Sequence, residues 1–224
     1  MKAILFDLDG TLLNRDASVK VFVEKQYERL YSALGYIPKE RYTERFIELD
    51  QRGYVWKDKV YAQLVQEFGL TTITSEQLLE DYLQQFQYSC VAFPNLIEML
   101  EALKQAGYKL GMITNGFGQF QMDNIKALQI ESFFDVILVS EWEGLKKPDA
   151  RIFLKALEQL QVAPCESIFV GDHPENDVKA AKNVGMKGVW KKDAGWHAVL
   201  SDAVIEDLLE LLSVLETFKE EATN

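Results

Sequence analysis

The chain has 224 residues, 48% hydrophobic and 26% charged, a composition typical of a globular protein with a sizeable core. Its formal net charge of -11 disfavours nucleic acid polymers as partners, since these need a basic surface. Cys90 and Cys165 are too few and too far apart to predict a disulfide framework or a thiolate metal site. Without a signal-peptide pattern or a long apolar stretch, we expect a cytoplasmic protein with no membrane partner. We expect a monomer or a weak homodimer.

The first predicted element is a strand within residues 1–8, where Ala3 to Phe6 form an unbroken apolar run. Such a run is typical of a strand covered on both faces of a parallel sheet. Asp7 and Asp9 follow at its end, and their side chains leave on the same side because they are two residues apart. Two close carboxylates repel unless a cation or a shared proton compensates. These residues alone support a metal site and a solvated Asp-Gly turn about equally.

Residues 15–90 show helical periodicity and no convincing strand. We therefore predict that these residues form a helical insertion, called the cap below, within a core domain formed by residues 1–14 and 91–224. We expect its aromatic side chains to form the interior of the cap rather than contact substrate. These side chains are Tyr27, Tyr31, Phe46, Tyr54, Trp56 and Tyr61.

Four further strands are predicted after the cap, each short, apolar and separated from the next by a helical pattern. Alternation of strands and helices is typical of an α/β fold with a doubly wound parallel sheet. Much of the acidic excess lies from Asp202 onward, and we expect a terminal helix there. The four strands are at Lys109–Thr114, 135–139, Ser167–Gly171 and 187–190.

Polar residues follow the first three of these strands, as Asp7 and Asp9 follow the strand at the start of the chain. Thr114 and Asn115 end the second strand, Lys147 follows the third, and Asp172 and Asp177 follow the fourth. Each has an ordinary interpretation, as a turn, a solvated lysine or a helix cap. Ligands bind beyond the carboxyl ends of parallel strands. The occurrence of carboxylates, a hydroxyl, an amide and a lysine at these ends together favours a site that holds a divalent cation and a phosphate.

In this order the motifs D-x-D-G-T, T-N-G, K-P and G-D-x-x-x-x-D resemble those of the haloacid dehalogenase-like superfamily. The resemblance runs along nearly the whole chain, to the phosphatase branch whose helical cap follows the first motif. It implies a Rossmann-like core, Mg2+ as cofactor and a small phosphomonoester as substrate.

The resemblance also implies the catalytic roles. Asp7 would attack phosphorus and form an aspartyl phosphate. Asp9 would protonate the leaving oxygen and later take a proton from water. Lys147 would neutralise charge on the nucleophile and on the transferring phosphoryl group. Lys146 is less suited to this role, because the family position directly precedes the proline.

The same resemblance implies the metal and phosphate ligands. Mg2+ would bind the carboxylates of Asp7 and Asp172 and the backbone carbonyl of Asp9, with Asp177 as a nearby acidic support. Thr114 and the amide of Asn115 would hold phosphoryl oxygens together with Lys147, and Gly10 would let the backbone approach the phosphate.

Other functions remain open on the same fold. A phosphomutase would transfer the phosphoryl group to a sugar hydroxyl under a cap that excludes water. A 2-haloacid dehalogenase shares the nucleophilic aspartate but lacks the second acid at the position of Asp9. A non-catalytic regulatory binding protein would show a lost motif residue, and none is lost here. His173 and His197 are not expected to be catalytic.

Gly53 interrupts two helical patterns in the cap, so we predict a loop or helix junction around residues 50–57 that faces the active site. Arg52, Trp56 and Lys57 are then candidates for selecting the leaving group. An outward-facing, solvated junction is at least as well supported for any one of them.

Overall fold

The computed structural model describes residues 1–197 and 199–221, and this part of the chain divides into two compact units. One unit, the core, contains the residues up to Asn14 and those from Ala92 onward. The other, the cap, runs from Arg15 to Val91. Within the core, the chain segments that flank the cap pair with each other, because the Phe93 N–H donates to the Leu12 carbonyl over 3.0 Å.

The core is built on a sheet that contains six parallel strands in the described part of the chain, in the order β3-β2-β1-β4-β5-β6. This arrangement, with helices flanking the sheet, confirms the predicted α/β class. The strands are β1 (Ala3–Phe6), β2 (Lys109–Thr114), β3 (Val136–Val139), β4 (Ser167–Gly171), β5 (Lys187–Lys191) and β6 (Ala203–Ile205).

Helices follow most of the strands in the core, and the cap is built from helices and the loops that join them. No helix in the described part of the chain is long and apolar enough to cross a lipid bilayer. The cap contains α1 (Arg15–Arg29), α2 (Tyr31–Leu34), α3 (Lys39–Asp50), α4 (Lys57–Phe68) and α5 (Ser75–Gln85). The core contains α6 (Leu96–Gln105), α7 (Gly118–Ala127), α8 (Ser140–Glu143), α9 (Ala150–Leu160), α10 (Ala180–Asn183) and α11 (Glu210–Glu221).

Strand β1 occupies the centre of the sheet. All four of its residues are fully buried, as expected for a strand covered on both faces. Phe6 at its end lies opposite Met112 of β2 and Val170 of β4. Strands β2 and β3 lie on one side of β1, and β4, β5 and β6 lie on the other side. The strand order therefore reverses beside β1, where open α/β sheets bind their ligands.

One face of the sheet packs against α9. Apolar residues of this helix recur at helical spacing and form a cluster with Leu5, Ile113 and Phe169 of the central strands. The rings of Phe153 and Phe169 meet edge to face with their centroids 5.0 Å apart. This packing fixes β1, β2 and β4 against one another, and therefore fixes the relative positions of the residues that follow them.

The segment after Asp202 contains the predicted terminal helix and, before it, a strand that was not predicted. Its first residues form β6, which pairs with β5 and buries Ile205 opposite Lys191, and α11 begins only at Glu210. A strand of three residues is too short to show a period-two pattern, so the sequence does not reveal it.

The interior of the cap is aromatic, as predicted for Tyr27, Phe46 and Tyr61, which are buried. Tyr31 and Tyr54 are instead exposed, so the prediction is wrong for them. Tyr31 begins the one-turn helix α2, and Tyr54 follows the turn after α3, positions where the helical pattern no longer determines which face is buried.

A buried amide lies at the centre of this aromatic interior. The Gln26 Oε1 atom accepts hydrogen bonds from the hydroxyls of Tyr42 and Tyr61, over 3.2 and 3.0 Å. Its Nε2 donates to the Leu78 carbonyl and to the Asp81 carboxylate, over 3.2 and 2.9 Å. Because both ends of the amide are bonded, its burial fixes the arrangement of α1, α3, α4 and α5 without leaving an unsatisfied polar group.

A buried ion cluster joins α1, α3 and α4. The Asp50 carboxylate is 2% exposed and accepts hydrogen bonds from Arg15 Nη2 over 2.7 Å and from Lys57 Nζ. The Lys57 ammonium is therefore buried and paired with Asp50 inside the cap. Arg52 is 41% exposed and pairs with Asp16, their Nη2 and Oδ2 atoms 3.4 Å apart.

We expect Asp50→Asn to lower the free energy of unfolding by about 3 kcal/mol, because it leaves the charges of Arg15 and Lys57 buried without their counterion. Urea denaturation followed by circular dichroism measures this loss. Glu28→Gln, which removes the exposed partner of Lys39, is the matched control and should change little. Equal stability of the two variants would contradict a structural role for the cluster.

Candidate active site

Three neighbouring strands deliver side chains to one edge of the sheet. Asp7 directly follows β1, Thr114 is the last residue of β2, and Asp172 directly follows β4. The Asp7 N–H continues the ladder by donating to the Val170 carbonyl over 2.9 Å. The carboxyl ends of the strands thus bring together residues that are far apart in the sequence.

The centre of the site is the buried ammonium of Lys147. Its Nζ atom donates to Asp7 Oδ1 and to Asp177 Oδ1, each over 2.6 Å, and its side chain is 3% exposed. The ammonium also lies 5.2 Å from the ring centroid of Phe169. Burial alone would lower the pKa of Lys147, but the charges of Asp177 and Asp7 raise it above its ordinary value. Lys147 is therefore a permanent cation in the site.

Asp172 adds a third carboxylate to this pair. One oxygen from each of Asp7, Asp172 and Asp177 lies within 4.8 Å of the others. Burial and the neighbouring charges of Asp7 and Asp177 raise the pKa of Asp172 well above its ordinary range. Burial also raises the pKa of Asp7 to about 6, although Lys147 opposes this shift. The site thus holds more negative charge than Lys147 offsets, and its oxygen donors fit a hard divalent cation.

Asp177 is held on both sides by hydrogen bonds. Its Oδ1 accepts from Lys147, and its Oδ2 accepts from the His173 N–H over 3.0 Å. His173 in turn caps the following turn, since its Nδ1 accepts from the N–H groups of Glu175 and Asn176. Burial lowers the pKa of His173, which keeps the ring neutral and able to accept. This capping role accounts for His173 without a catalytic function.

Gly10 allows the backbone to approach Asp172 closely. Its φ of +86° favours glycine, and a Cβ at this position would lie 2.4 Å from Asp172 Oδ2. The sequence predicts that Gly10 makes room for a phosphate. In the structure, the space beside its Cα is taken by the Asp172 carboxylate.

The side-chain amide of Asn115 holds the backbone of Lys147. Asn115 Nδ2 donates to the Lys147 carbonyl and its Oδ1 accepts from the Lys147 N–H, each over 2.9 Å. These two hydrogen bonds position the backbone of Lys147 and engage both the oxygen and the nitrogen of the Asn115 side-chain amide.

Asp9 is half-buried and is held by a residue that the sequence analysis did not single out. Gln121 Nε2 donates to Asp9 Oδ2 and to Thr114 Oγ1, each over 2.7 Å. Gln121 lies near the start of α7, the helix that follows the T-N-G motif, and it is buried. Its place one turn into a helix after a motif strand is the signal that could have drawn attention to it.

This geometry defines a site of buried and half-buried carboxylates around one buried lysine, where the strand order of a doubly wound sheet reverses. Residues 4–191 match the family described as haloacid dehalogenase-like hydrolase. The chain belongs to this family, which confirms the resemblance in its four motifs.

Two similar proteins are both named glyceraldehyde 3-phosphate phosphatase. The one from Pyrococcus furiosus is 43% identical over 130 residues, 55% of this chain and 54% of that protein, so the match spans about half the length of that relative. The one from Methanocaldococcus jannaschii is 30% identical over 246 residues, 99% of this chain and 100% of that protein. These names support the prediction of a phosphoric monoester hydrolase.

Solved structures show the same fold. The haloacid dehalogenase-like phosphatase from Thermococcus onnurineus is similar with a TM-score of 0.68 and 33% identity, covering 96% of this chain and 98% of that one. A 2-haloacid dehalogenase from Pseudomonas syringae is similar with a TM-score of 0.66 and 27% identity, covering 97% and 99%. Because both activities occur on this fold, the choice between them depends on the site residues.

We expect Gly10→Ala to weaken the affinity for Mg2+ at least tenfold, because the new methyl group displaces the Asp172 carboxylate. Gly107→Ala is the matched control, since Gly107 has a similar φ of +81° but no atom within 4 Å of its Cβ position. Both variants should lose about 1–2 kcal/mol of stability from the strained φ. Calorimetric Mg2+ titration measures the difference, and equal affinity in the two variants would show that Asp172 does not need this close approach.

Proposed function

We propose that the protein is a Mg2+-dependent phosphomonoester hydrolase that works through an aspartyl phosphate. The observation that carries this proposal is the Asp7 carboxylate, fixed by the Lys147 ammonium at 2.6 Å beside the Asp172 carboxylate. A carboxylate next to a permanent cation and a cation-binding acid is suited to attack a dianionic ester, because its negative charge would otherwise repel the phosphate.

In the first step the Asp7 carboxylate attacks phosphorus. The bond between the Asp7 oxygen and phosphorus forms while the bond from phosphorus to the ester oxygen breaks. The departing alkoxide takes a proton from the Asp9 carboxyl group, so the product is a neutral alcohol. The positive charge of Lys147 offsets the negative charge that collects around the transferring group.

The second step hydrolyses the aspartyl phosphate. Asp9, now a carboxylate, removes a proton from a water molecule as the water oxygen attacks phosphorus. The bond between phosphorus and the Asp7 oxygen breaks, which releases inorganic phosphate and restores both carboxyl groups. The Thr114 hydroxyl and the Asn115 backbone N–H are the proposed donors to the phosphoryl oxygens.

The proposed metal ligands are the carboxylates of Asp7 and Asp172 and the Asp9 backbone carbonyl. When bound, Mg2+ supplies positive charge that draws the phosphate into the site and stabilises its oxygens. Asp177 supports this arrangement through Lys147, because both of its oxygens already accept hydrogen bonds.

The proposed substrate is a small phosphorylated metabolite. Supporting this class are the names of the relatives, which include phosphoserine phosphatase and phosphoglycolate phosphatase as well as glyceraldehyde 3-phosphate phosphatase. Two- and three-carbon phosphomonoesters are therefore the first compounds to screen with Mg2+.

We expect Asp7→Asn to abolish turnover of p-nitrophenyl phosphate, because a carboxamide is a poor nucleophile. Release of p-nitrophenolate, followed by absorbance, measures the effect. Asp58→Asn on the surface of the cap is the control and should retain wild-type activity. Near wild-type turnover by Asp7→Asn would exclude the aspartyl-phosphate mechanism.

Removal of divalent cations with EDTA should abolish hydrolysis, and added Mg2+ should restore it, because Lys147 alone does not balance the three acidic side chains. The same assay with a 2-haloacid, followed by halide release, provides the contrast. Metal-free release of halide, or unchanged phosphate release in excess EDTA, would favour the dehalogenase instead.

A further inference from the structure

Gln121 connects two parts of the site that carry different chemistry. Its Nε2 atom donates over 2.7 Å to Asp9 Oδ2 and over 2.7 Å to Thr114 Oγ1. Asp9 is the proposed proton carrier, and Thr114 is a proposed phosphate ligand. One amide group therefore bonds both the proposed proton donor to the leaving group and a proposed ligand of the phosphate.

The position of this amide is itself fixed. Gln121 is 2% exposed, and its Oε1 accepts a hydrogen bond from Asn124 Nδ2 over 3.2 Å. Gly116 leaves room for its side chain, since a Cβ there would lie 2.8 Å from Gln121 Cγ. A buried amide bonded at both ends has little rotational freedom, so it is a rigid donor.

A carboxyl group that transfers protons must be oriented, because small errors in direction lower the rate of transfer. A hydrogen bond to Oδ2 restricts rotation of the Asp9 carboxyl group and thereby limits the directions that Oδ1 can take. The amide N–H neither gains nor loses a proton in the proposed reaction, so it can serve the acid and the base form of Asp9 alike.

We propose that Gln121 is a positioning residue. It orients the Asp9 carboxyl group toward the leaving-group oxygen and fixes the position of this group relative to Thr114. This inference rests on the proposed phosphatase function. It predicts that loss of the amide donor impairs protonation of the leaving group more than it impairs binding of the phosphate.

The test compares two esters with the variant Gln121→Met, whose side chain has similar length but no donor. Glycerol 2-phosphate releases an alcohol that needs a proton, whereas 2,4-dinitrophenyl phosphate releases a phenolate that does not. We expect kcat/KM, which includes the step that releases the leaving group, to fall at least about tenfold more for the alkyl ester. Inhibition by inorganic phosphate should change less than threefold.

Two further variants separate positioning from packing. Gln121→Glu keeps the shape of the side chain but replaces the donor with an acceptor that repels Asp9, so its loss on the alkyl ester should equal or exceed that of Gln121→Met. Gln119→Met, on the exposed side of α7, is the control and should behave as wild type. Thermal denaturation monitors whether each variant is folded.

Equal losses on the two esters in folded Gln121→Met and Gln121→Glu would overturn the positioning role and leave Gln121 as a packing residue. A large rise in the phosphate inhibition constant with equal losses would instead place its effect at Thr114, which also overturns the proposal. If the wild-type protein hydrolyses neither ester with Mg2+ present, the proposed phosphatase function itself is wrong.

Discussion

The rest of the site depends on one buried interaction, the ammonium of Lys147 between the carboxylates of Asp7 and Asp177. Charges are expensive to bury, and they are retained only where each is bonded to an opposite charge or to a donor. Lys147 reaches this position from the segment between α8 and α9, whereas Asp7 follows β1 and Asp177 lies in the helical turn after β4. The interaction therefore forms only when the parallel sheet has brought these segments together.

The same interaction links folding to chemistry. Lys147 compensates two carboxylates in part, and Asp172 adds a third beside them, so the site is arranged for a further positive charge. Its partners are held in turn, because the Asn115 side chain fixes the Lys147 backbone and the His173 N–H fixes Asp177. Charged groups that are already held in place need little reorganisation during a reaction, which is the basis of electrostatic catalysis.

The sequence predicts the class of fold and the location of Asp7, Thr114 and Asp172, because buried strands are visible as apolar runs and parallel strands end at one edge. It does not reveal Gln121, because a glutamine near a helix start is common and its partners, Asp9 after β1 and Thr114 at the end of β2, are far apart in the sequence. The strand β6 escapes detection because three residues carry no period. Burial of Lys57 depends on Asp50, a contact between helices that no local pattern shows.

The central claim is that Asp7 becomes covalently phosphorylated during turnover. Borohydride reduces an aspartyl phosphate to homoserine, so wild-type protein quenched with borohydride while it hydrolyses p-nitrophenyl phosphate can be digested and examined by mass spectrometry. We predict homoserine at residue 7 in the N-terminal peptide, dependent on both Mg2+ and substrate. Active turnover with aspartate unchanged at residue 7, or phosphate attached to another residue, would contradict the account.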